Sequence, residues 1–334
     1  MDRTHNAFVL QVAPLIVMGA ISSFATAADD VSEQQQRASA RAGQLRERLV
    51  VLTRKEGFDT ILRPVSQLPV KIDDANSAQE SRMLLLGNES SEIAFAFSAK
   101  TGHLNSFFNW YAAHQCSGKG APLYEQPTKP KWSKEEAERI AKECVTALLD
   151  VIPPNVVVGS VEYLHPFREM PKYYVGEWYI QLTRVDANGH PFDEDGITVI
   201  LAEKHGLIAV GMHMESEYAE VSVDPIAEKR AVSISEGFAK KMLVWKPEKS
   251  YYLEHELSGE HHARLFIVRP NYILKYASIA DAVAAQTRVA RLAWEVRHML
   301  VRRDAKSREA IPTNREVFVW IDATTGDYLG GDFK

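Results

Sequence analysis

Alternating apolar and polar residues near the end of the chain predict a β-strand that leads into a tight turn. Residues 315–333 read REVFVWIDATTGDYLGGDF, and apolar side chains recur at every second position from Val317 to Ile321. A period of two is typical of a strand with one buried face. Gly326 closes the turn that follows, since glycine readily adopts the positive φ that such a turn requires.

The same pattern occurs twice more along the chain. Residues 91–107 read SEIAFAFSAKTGHLNSF, with Gly102 at the turn, and residues 196–210 read GITVILAEKHGLIAV, with Gly206 at the turn. Each copy predicts a strand, a tight turn and a return strand. Three copies at domain-sized spacing indicate a repeated architectural unit.

An amphipathic helix is predicted upstream of the second copy. Residues 132–149 read WSKEEAERIAKECVTALL, in which Ser133 and Glu136 have the spacing of a capping box. The residues after the cap form one apolar face at helical spacing, namely Ala137, Ile140, Ala141, Cys144, Val145, Leu148 and Leu149.

A second helix of this kind is predicted upstream of the third copy. Residues 232–245 read VSISEGFAKKMLVW, and Ser233 with Glu236 repeats the capping box. Gly237 weakens this helix by about 1 kcal/mol relative to alanine. Its apolar face comprises Phe238, Ala239, Met242, Leu243 and Trp245.

Strand-like segments follow each helix, so a complete unit contains one helix and three or four antiparallel strands. In the middle unit the first of these segments is NVVVGSVEYL at 155–164, and Asn188-Gly189 marks a turn between two later ones. Before the middle unit, the polar residues 29–44 predict a frayed or helical arm, and an apolar helical stripe begins at Leu45. The predicted fold is α+β, with tandem units in which one amphipathic helix packs on an antiparallel sheet.

Changes in composition suggest the domain boundaries. The stretch SGKGAPLYEQPTKPK is rich in Gly and Pro and has no hydrophobic period, which is typical of a linker. An insertion with helical composition precedes the last strands. The predicted organisation is a signal peptide at 1–27, a partial unit at 28–116, a linker at 117–131, a unit at 132–218, and a unit at 219–334 with the insertion near 270–290.

The first residues have the pattern of a signal peptide. Arg3 and His5 precede an apolar run at 7–21, and Ala25-Thr26-Ala27 matches an A-x-A cleavage site, so the mature chain is expected to begin at Ala28. The apolar run is shorter than the roughly 20 residues that a membrane span needs. An anchor that is never cleaved is the alternative. Cleavage places the protein outside the cytoplasm, in the periplasm or secreted.

Composition narrows the classes of function. The chain has 334 residues, an apolar fraction of 46% and a net charge of −5, which indicates a globular protein and no nucleic-acid partner. No later stretch is long and apolar enough for stable membrane insertion. Cys116 and Cys144 either form a disulfide in an oxidising compartment or leave Cys144 as a free thiol in a helix core.

The middle unit resembles the PepSY domain, and more closely the related YcdB/YcdC repeat of exported bacterial proteins. The likeness lies in the capped helix KPKWSKEEAERIAKE and in EWYIQLTRVDANGHPFDEDGITVILAEKHG, where Gly189 and Gly196 occupy family positions. The hairpin at 202–206 lacks the family's Asp and Thr, whereas the third copy has both as Asp322 and Thr325.

The resemblance covers residues 90–334 and implies a PepSY/cystatin-like fold without catalytic residues, cofactor or metal. Its relatives are proposed to bind or inhibit peptidases. It therefore implies a protein partner, such as a peptidase or an envelope protein.

One segment suggests enzymatic chemistry instead. Residues 251–266 read YYLEHELSGEHHARLF, and His255, Glu256, His261 and His262 evoke a zinc peptidase. Two histidines share a metal from a helix when they are four residues apart, but the residue four after His255 is a glycine. We interpret the segment as a hairpin with Ser-Gly at its tip.

Two charged stretches are further candidate binding sites. Asp193-Glu194-Asp195 is interpreted as a solvated turn that could bind a cation weakly. The basic residues of 297–308 are interpreted as a solvated strand end, or as a surface for an anionic partner.

The sequence thus supports a leading hypothesis and two alternatives. The leading hypothesis is an exported, non-catalytic PepSY-like protein that binds an extracytoplasmic partner through sheet faces or edges. The alternatives are a metal-dependent hydrolase that uses the His255–His262 segment, and a carrier with a small-ligand cavity between helix and sheet.

Overall fold

The chain has an α+β fold, as the sequence predicts, with helices packed on largely antiparallel sheets. The predicted signal peptide and all but the ends of the predicted linker lie outside the described residues. Two compact units are formed by the described parts of 28–183 with 196–213 (N-terminal unit) and of 184–195 with 214–333 (C-terminal unit). The computed structural model describes residues 28–73, 83–98, 102–117, 130–149, 153, 155–164, 177–214, 216–219, 224–245, 255–287, 289–303, 307 and 309–333.

The N-terminal unit contains three helices and a sheet in the order β1-β2-β3-β4-β8-β7-β6-β5 within the described residues. None of the described helices has both the length and the apolarity that a membrane span needs. The helices are α1 (Ala28–Glu56), α2 (Trp110–Ser117) and α3 (Lys134–Leu149). The strands are β1 (Val70–Asp73), β2 (Met83–Gly87), β3 (Ile93–Ser98), β4 (Leu104–Asn109), β5 (Val156–Leu164), β6 (Glu177–Val185), β7 (Pro191–Ala202) and β8 (Gly206–His213).

Helix α1 continues through the polar segment 29–44, for which the sequence predicts a frayed or helical arm. Small apolar residues extend the leucine stripe toward the N-terminus, so one face of the helix stays buried over four turns. Each fully buried leucine contributes about 1.5–3 kcal/mol. The buried face comprises Ala38, Ala42, Leu45, Leu49 and Leu52.

Helix α3 packs against α1, and a network of charges joins their exposed sides. The Arg139 guanidinium lies 2.7 Å from Glu56 of α1 and 2.7 Å from Glu143 of its own helix, and Lys55 binds Glu143 at 2.6 Å. The predicted apolar face of α3 is buried except for Leu149, which is partly exposed.

Cys144 lies in the apolar face of α3 as a free, fully buried thiol, and burial raises its pKa. Of the two readings that the sequence left open for this cysteine, the structure favours the free thiol. The side chain of Cys116 lies outside the described part of the chain.

The predicted capping boxes have different outcomes. Ser133 caps α3, because its Oγ accepts the backbone N–H of Glu136 at 3.2 Å. Glu136 does not return the bond; its carboxylate binds Arg139 instead. The second box is wrong, since α4 (Glu228–Leu243) begins five residues before Ser233 and its N-cap, Ala227, makes no side-chain hydrogen bond.

The C-terminal unit consists of α4 packed on an antiparallel sheet in the order β9-β10-β11-β12. Residues 191–195 of β7 belong to this unit, and Phe192 pairs in parallel with Ile267 of β9. The predicted insertion contains the expected short helix, α5 (Ile279–Ala284), after a 3-10 turn at Ile273–Lys275. The strands are β9 (His255–Val268), β10 (Arg291–Arg303), β11 (Ala310–Asp322) and β12 (Tyr328–Phe333).

The three repeated turns are confirmed. Gly102, Gly206 and Gly326 have φ values of +68°, +74° and +82°. In the last turn, the Asp322 carboxylate accepts the backbone N–H groups of Thr324 at 2.9 Å and Thr325 at 3.0 Å. Glycine therefore allows the backbone conformation of this turn, and the aspartate side chain accepts two of its backbone N–H groups.

A buried polar pair joins α4 to the sheet. The Ser235 hydroxyl donates to the carbonyl of Val232 at 2.8 Å, so it accepts the Nε2 proton of neutral His298, which lies 2.8 Å away on β10. Both side chains are almost fully buried. Burial, aided by nearby His261, lowers the pKa of His298 from 6.5 to about 4.

Replacing Gly326 with alanine should lower the free energy of unfolding by about 1–2 kcal/mol, because an L-residue resists the left-handed conformation. The added Cβ would also lie 3.3 Å from Cδ1 of Ile234. Urea unfolding measures the effect. The matched control is Gly237→Ala, on the exposed side of α4 with open space around the new Cβ, which should raise stability by up to about 1 kcal/mol. A Gly326→Ala variant that is as stable as the wild-type protein, or more stable, would contradict the turn assignment.

Acid should destabilise the protein through His298. Because the folded pKa lies below the unfolded value, the unfolded state binds the proton more readily as pH falls from about 6.5 to about 4. The free energy of unfolding should drop by at most roughly 3 kcal/mol over this window and level off below it.

Urea titrations at several pH values measure that slope. The variant His298→Gln should lose much of it, while His262→Gln, on an exposed residue of β9, should retain it. Identical acid slopes in the wild-type protein and His298→Gln would show that His298 does not contribute.

Candidate partner-binding edge

The segment proposed as a metal site is one continuous strand, and its interpretation as a hairpin is wrong. Residues 255–262 lie in β9, which pairs with β10 along its length. Residues 258–260 form a bulge opposite the single residue Met299, and Gly259 has a φ of +89°. The Ser-Gly pair therefore bends a strand instead of reversing the chain.

The four candidate ligands do not converge. Glu256 binds Arg303 at 2.9 Å, and the ring of His261 lies 6.4 Å from that of His298. His262 follows His261 in a strand, so their side chains point to opposite faces. Among the described residues, no group of three His, Cys, Asp or Glu side chains is placed to hold a metal ion.

The acidic stretch at 193–195 is part of β7, so its interpretation as a solvated turn is wrong. Asp195 is 1% exposed; it binds Arg184 at 2.6 Å and accepts the Ser216 hydroxyl at 2.7 Å. The Arg184 guanidinium also lies 4.1 Å from the centre of the Phe192 ring. Arginine therefore occupies the position that a cation would need, and the cluster is a buried structural ion pair.

The basic stretch at 297–308 is partly neutralised where the structure describes it. Arg297 binds Glu295 at 2.8 Å, and Arg303 binds Glu256 at 2.9 Å. These contacts weaken the reading of the stretch as a surface for an anionic partner.

Three strand edges, those of β1, the first half of β9, and β12, are protected from further pairing. Strand β1 is only four residues long. Strand β9 is bulged and carries exposed charged and histidine side chains along its first half. Strand β12 is covered, because Asn271 bonds both the N–H and the C=O of Gly331, at 3.1 and 2.8 Å, and the N–H of Tyr272 bonds Leu329 at 3.0 Å. Short length, charge, bulges and covering segments are the usual defences of sheet edges.

Strand β5 is neither short nor covered by another segment within the described residues. Its nine residues, VVVGSVEYL, pair with β6 on one side and with no described strand on the other. Val157 is 47% exposed. Gly159 allows close approach to β6, since a Cβ there would lie 2.3 Å from the Thr183 hydroxyl. A long, β-branched edge of this kind is a template for an added strand.

A cleft of 430 Å³ lies between β5 and the first turns of α3. Val158, Ser160 and Glu162 line it from the strand, together with the neighbouring residues Gly159 and Val161. Lys134, Glu135 and Glu138 line it from the helix. The cleft places charged groups beside β5.

The sequence predicted β5 as a strand and predicted binding at sheet edges, but it did not identify which edge. The pattern of β5 is that of any half-buried strand. Its position at the end of the sheet follows from pairing between distant segments, for which the single sequence holds no signal.

Comparison with known proteins gives limited guidance. No family model matches the chain, and no curated protein matches it. Among solved structures, the chain is similar to the Bacillus megaterium YpeB C-terminal domain, with a TM-score of 0.37 and 10% sequence identity over 92% of this chain and 97% of that one. The site must therefore be interpreted from its own geometry.

Proposed function

We propose that this chain is an exported, non-catalytic PepSY-like protein that binds a protein partner outside the cytoplasm, such as a peptidase or an envelope protein. The partner adds an extended segment to the outer edge of β5. Strand addition supplies affinity through backbone hydrogen bonds, and nearby side chains supply specificity.

The observation that carries this proposal is the contrast among the sheet edges. The edges at β1, β9 and β12 are short, bulged or covered, whereas the nine-residue β5 has an exposed valine and no described neighbour on its outer side. An unprotected edge of this length favours aggregation unless a partner covers it.

Export and the tandem arrangement belong to the same proposal. The apolar run at 7–21 and the A-x-A site before Ala28 support export. The three glycine turns and the capped helix α3 support PepSY-like units repeated along the chain. The predicted unit boundaries at 132–218 and 219–334 remain part of this proposal.

Site-specific photo-crosslinking in the host tests the binding edge. The full-length chain would carry a photoreactive amino acid at Val157, and the matched control would carry it at Val51, which is 67% exposed on α1 of the same unit. We expect a discrete crosslinked product at Val157 that is absent at Val51. Mass spectrometry should map the crosslink to an extended segment of an extracytoplasmic protein.

The same experiment can contradict the proposal. Equal crosslinking at both positions, or no product at Val157 under several growth conditions, would rule out β5 as the binding edge. A product found only in the cytoplasmic fraction, on a chain that retains residues 1–27, would contradict export.

A further inference from the structure

A short strap of the C-terminal unit, formed by Asn271 and Tyr272, lies along β12 where a neighbouring strand would lie. The Asn271 amide donates to the C=O of Gly331 at 2.8 Å and accepts its N–H at 3.1 Å. The backbone N–H of Tyr272 donates to the C=O of Leu329 at 3.0 Å. Outward backbone groups recur at every second residue of a strand, so a paired strand would use the same groups. The strap therefore occupies the pairing edge of β12.

Strand β12 leaves room for the strap. Gly330 has a φ of +140°, and a Cβ at this position would lie 2.0 Å from the Oδ1 atom of Asn271. Glycine allows both this backbone conformation and the close approach of the amide. The same Oδ1 atom accepts the N–H of Ile273 at 3.2 Å, and Ile273 is buried in the core beneath α4. The amide is therefore held from both sides.

The strap is also strained. Tyr272 has a φ of +43° and a ψ of +39°, a left-handed conformation that a bulky residue rarely adopts. Such a conformation persists only where the surrounding contacts hold it. Here the ring packs on the cluster that contains Trp320 and Leu329, and the Nζ atom of Lys275 lies 4.0 Å from the centre of the ring. The chain thus holds a strained residue in the segment that blocks the edge of β12.

The blocked edge is compatible with β12 of a second copy. Gly331 exchanges both of its backbone hydrogen bonds with one group, as a residue of a hydrogen-bonded antiparallel pair does. A two-fold axis at Gly331 would let the Gly331 residues of two copies make the same two bonds with each other. Asp332 would then lie opposite Gly330 of the second copy, so no like charges would be directly opposite. Because each chain has one β12, such a pair closes as a dimer.

We propose that the strap of Asn271 and Tyr272 is an autoinhibitory contact that keeps β12 from pairing with β12 of a second copy of this chain. With the strap in place, the backbone groups of Leu329 and Gly331 are satisfied within one molecule. Without the amide, Gly331 presents an N–H and a C=O that a second copy can bind. The β12 edge is separate from the proposed binding edge at β5, which lies in the other unit.

Replacing Asn271 with alanine in the full-length chain tests this role. Analytical ultracentrifugation measures the dissociation constant for self-association. We expect it to be at least about tenfold lower in Asn271→Ala than in the wild-type chain, as one or two additional backbone hydrogen bonds allow. The matched control is Asn314→Ala, which removes an exposed amide from β11 of the same unit. Its dissociation constant should stay within about twofold of the wild-type value.

Two measurements locate the contact. Hydrogen exchange of the Gly331 amide should be slow at every concentration in the wild-type chain. In Asn271→Ala it should be fast in dilute solution and slow in concentrated solution. A photoreactive amino acid at position 332, an exposed residue of β12, should crosslink to β12 of a second copy. Mixing unlabelled and nitrogen-15-labelled Asn271→Ala chains identifies crosslinks between copies.

Three outcomes would overturn the proposal. The first is equal self-association of the Asn271→Ala and wild-type chains. The second is stronger self-association whose crosslinks do not involve β12. The third is loss of the fold, measured by urea unfolding, in both Asn271→Ala and Asn271→Ser. Serine can still accept the Ile273 N–H in a short turn but cannot reach Gly331. Unfolding of both variants would show that Asn271 maintains the core instead of blocking an edge.

Discussion

Every open β-sheet leaves a row of backbone N–H and C=O groups along each of its outer strands, and this constraint organises the surface of both units. Buried backbone groups need partners, and exposed ones attract further strands. At β12, the Asn271 amide bonds the N–H and C=O of Gly331 in the way that a neighbouring strand would. At β9, a bulge around Gly259 interrupts the regular row of backbone groups. Strand β5 is the exception, which is why its outer edge is the most informative surface that the structure describes.

The cores depend on polar pairs as well as on apolar burial. Asp195 is buried and binds Arg184, and Ser235 joins α4 to β10 through His298. A buried polar group costs free energy unless it is hydrogen-bonded, so each pair favours one alignment of the elements that it joins. These pairs also explain why charged and histidine residues that suggest chemistry in the sequence have structural roles in the fold.

The repeated turns can be predicted from sequence because their cause is local. A glycine in a strand-turn pattern permits positive φ at little cost, and Gly102, Gly206 and Gly326 all adopt it. The capped helix α3 is predictable for the same reason, since Ser133 and the apolar stripe lie within one segment. The second capping box failed because a serine and a glutamate three residues apart also occur inside helices, where Ser233 lies.

The sequence alone therefore determined the α+β class, most helices and strands, and the three glycine turns, because these follow from periodicity and backbone conformation within short segments. Only the tertiary structure decided that residues 255–262 form a bulged strand, that Asp195 is buried against Arg184, and that β5 ends its sheet. Each of these depends on which distant segments pair. Strand pairing joins residues far apart in the chain, and a single sequence does not encode it in any local pattern.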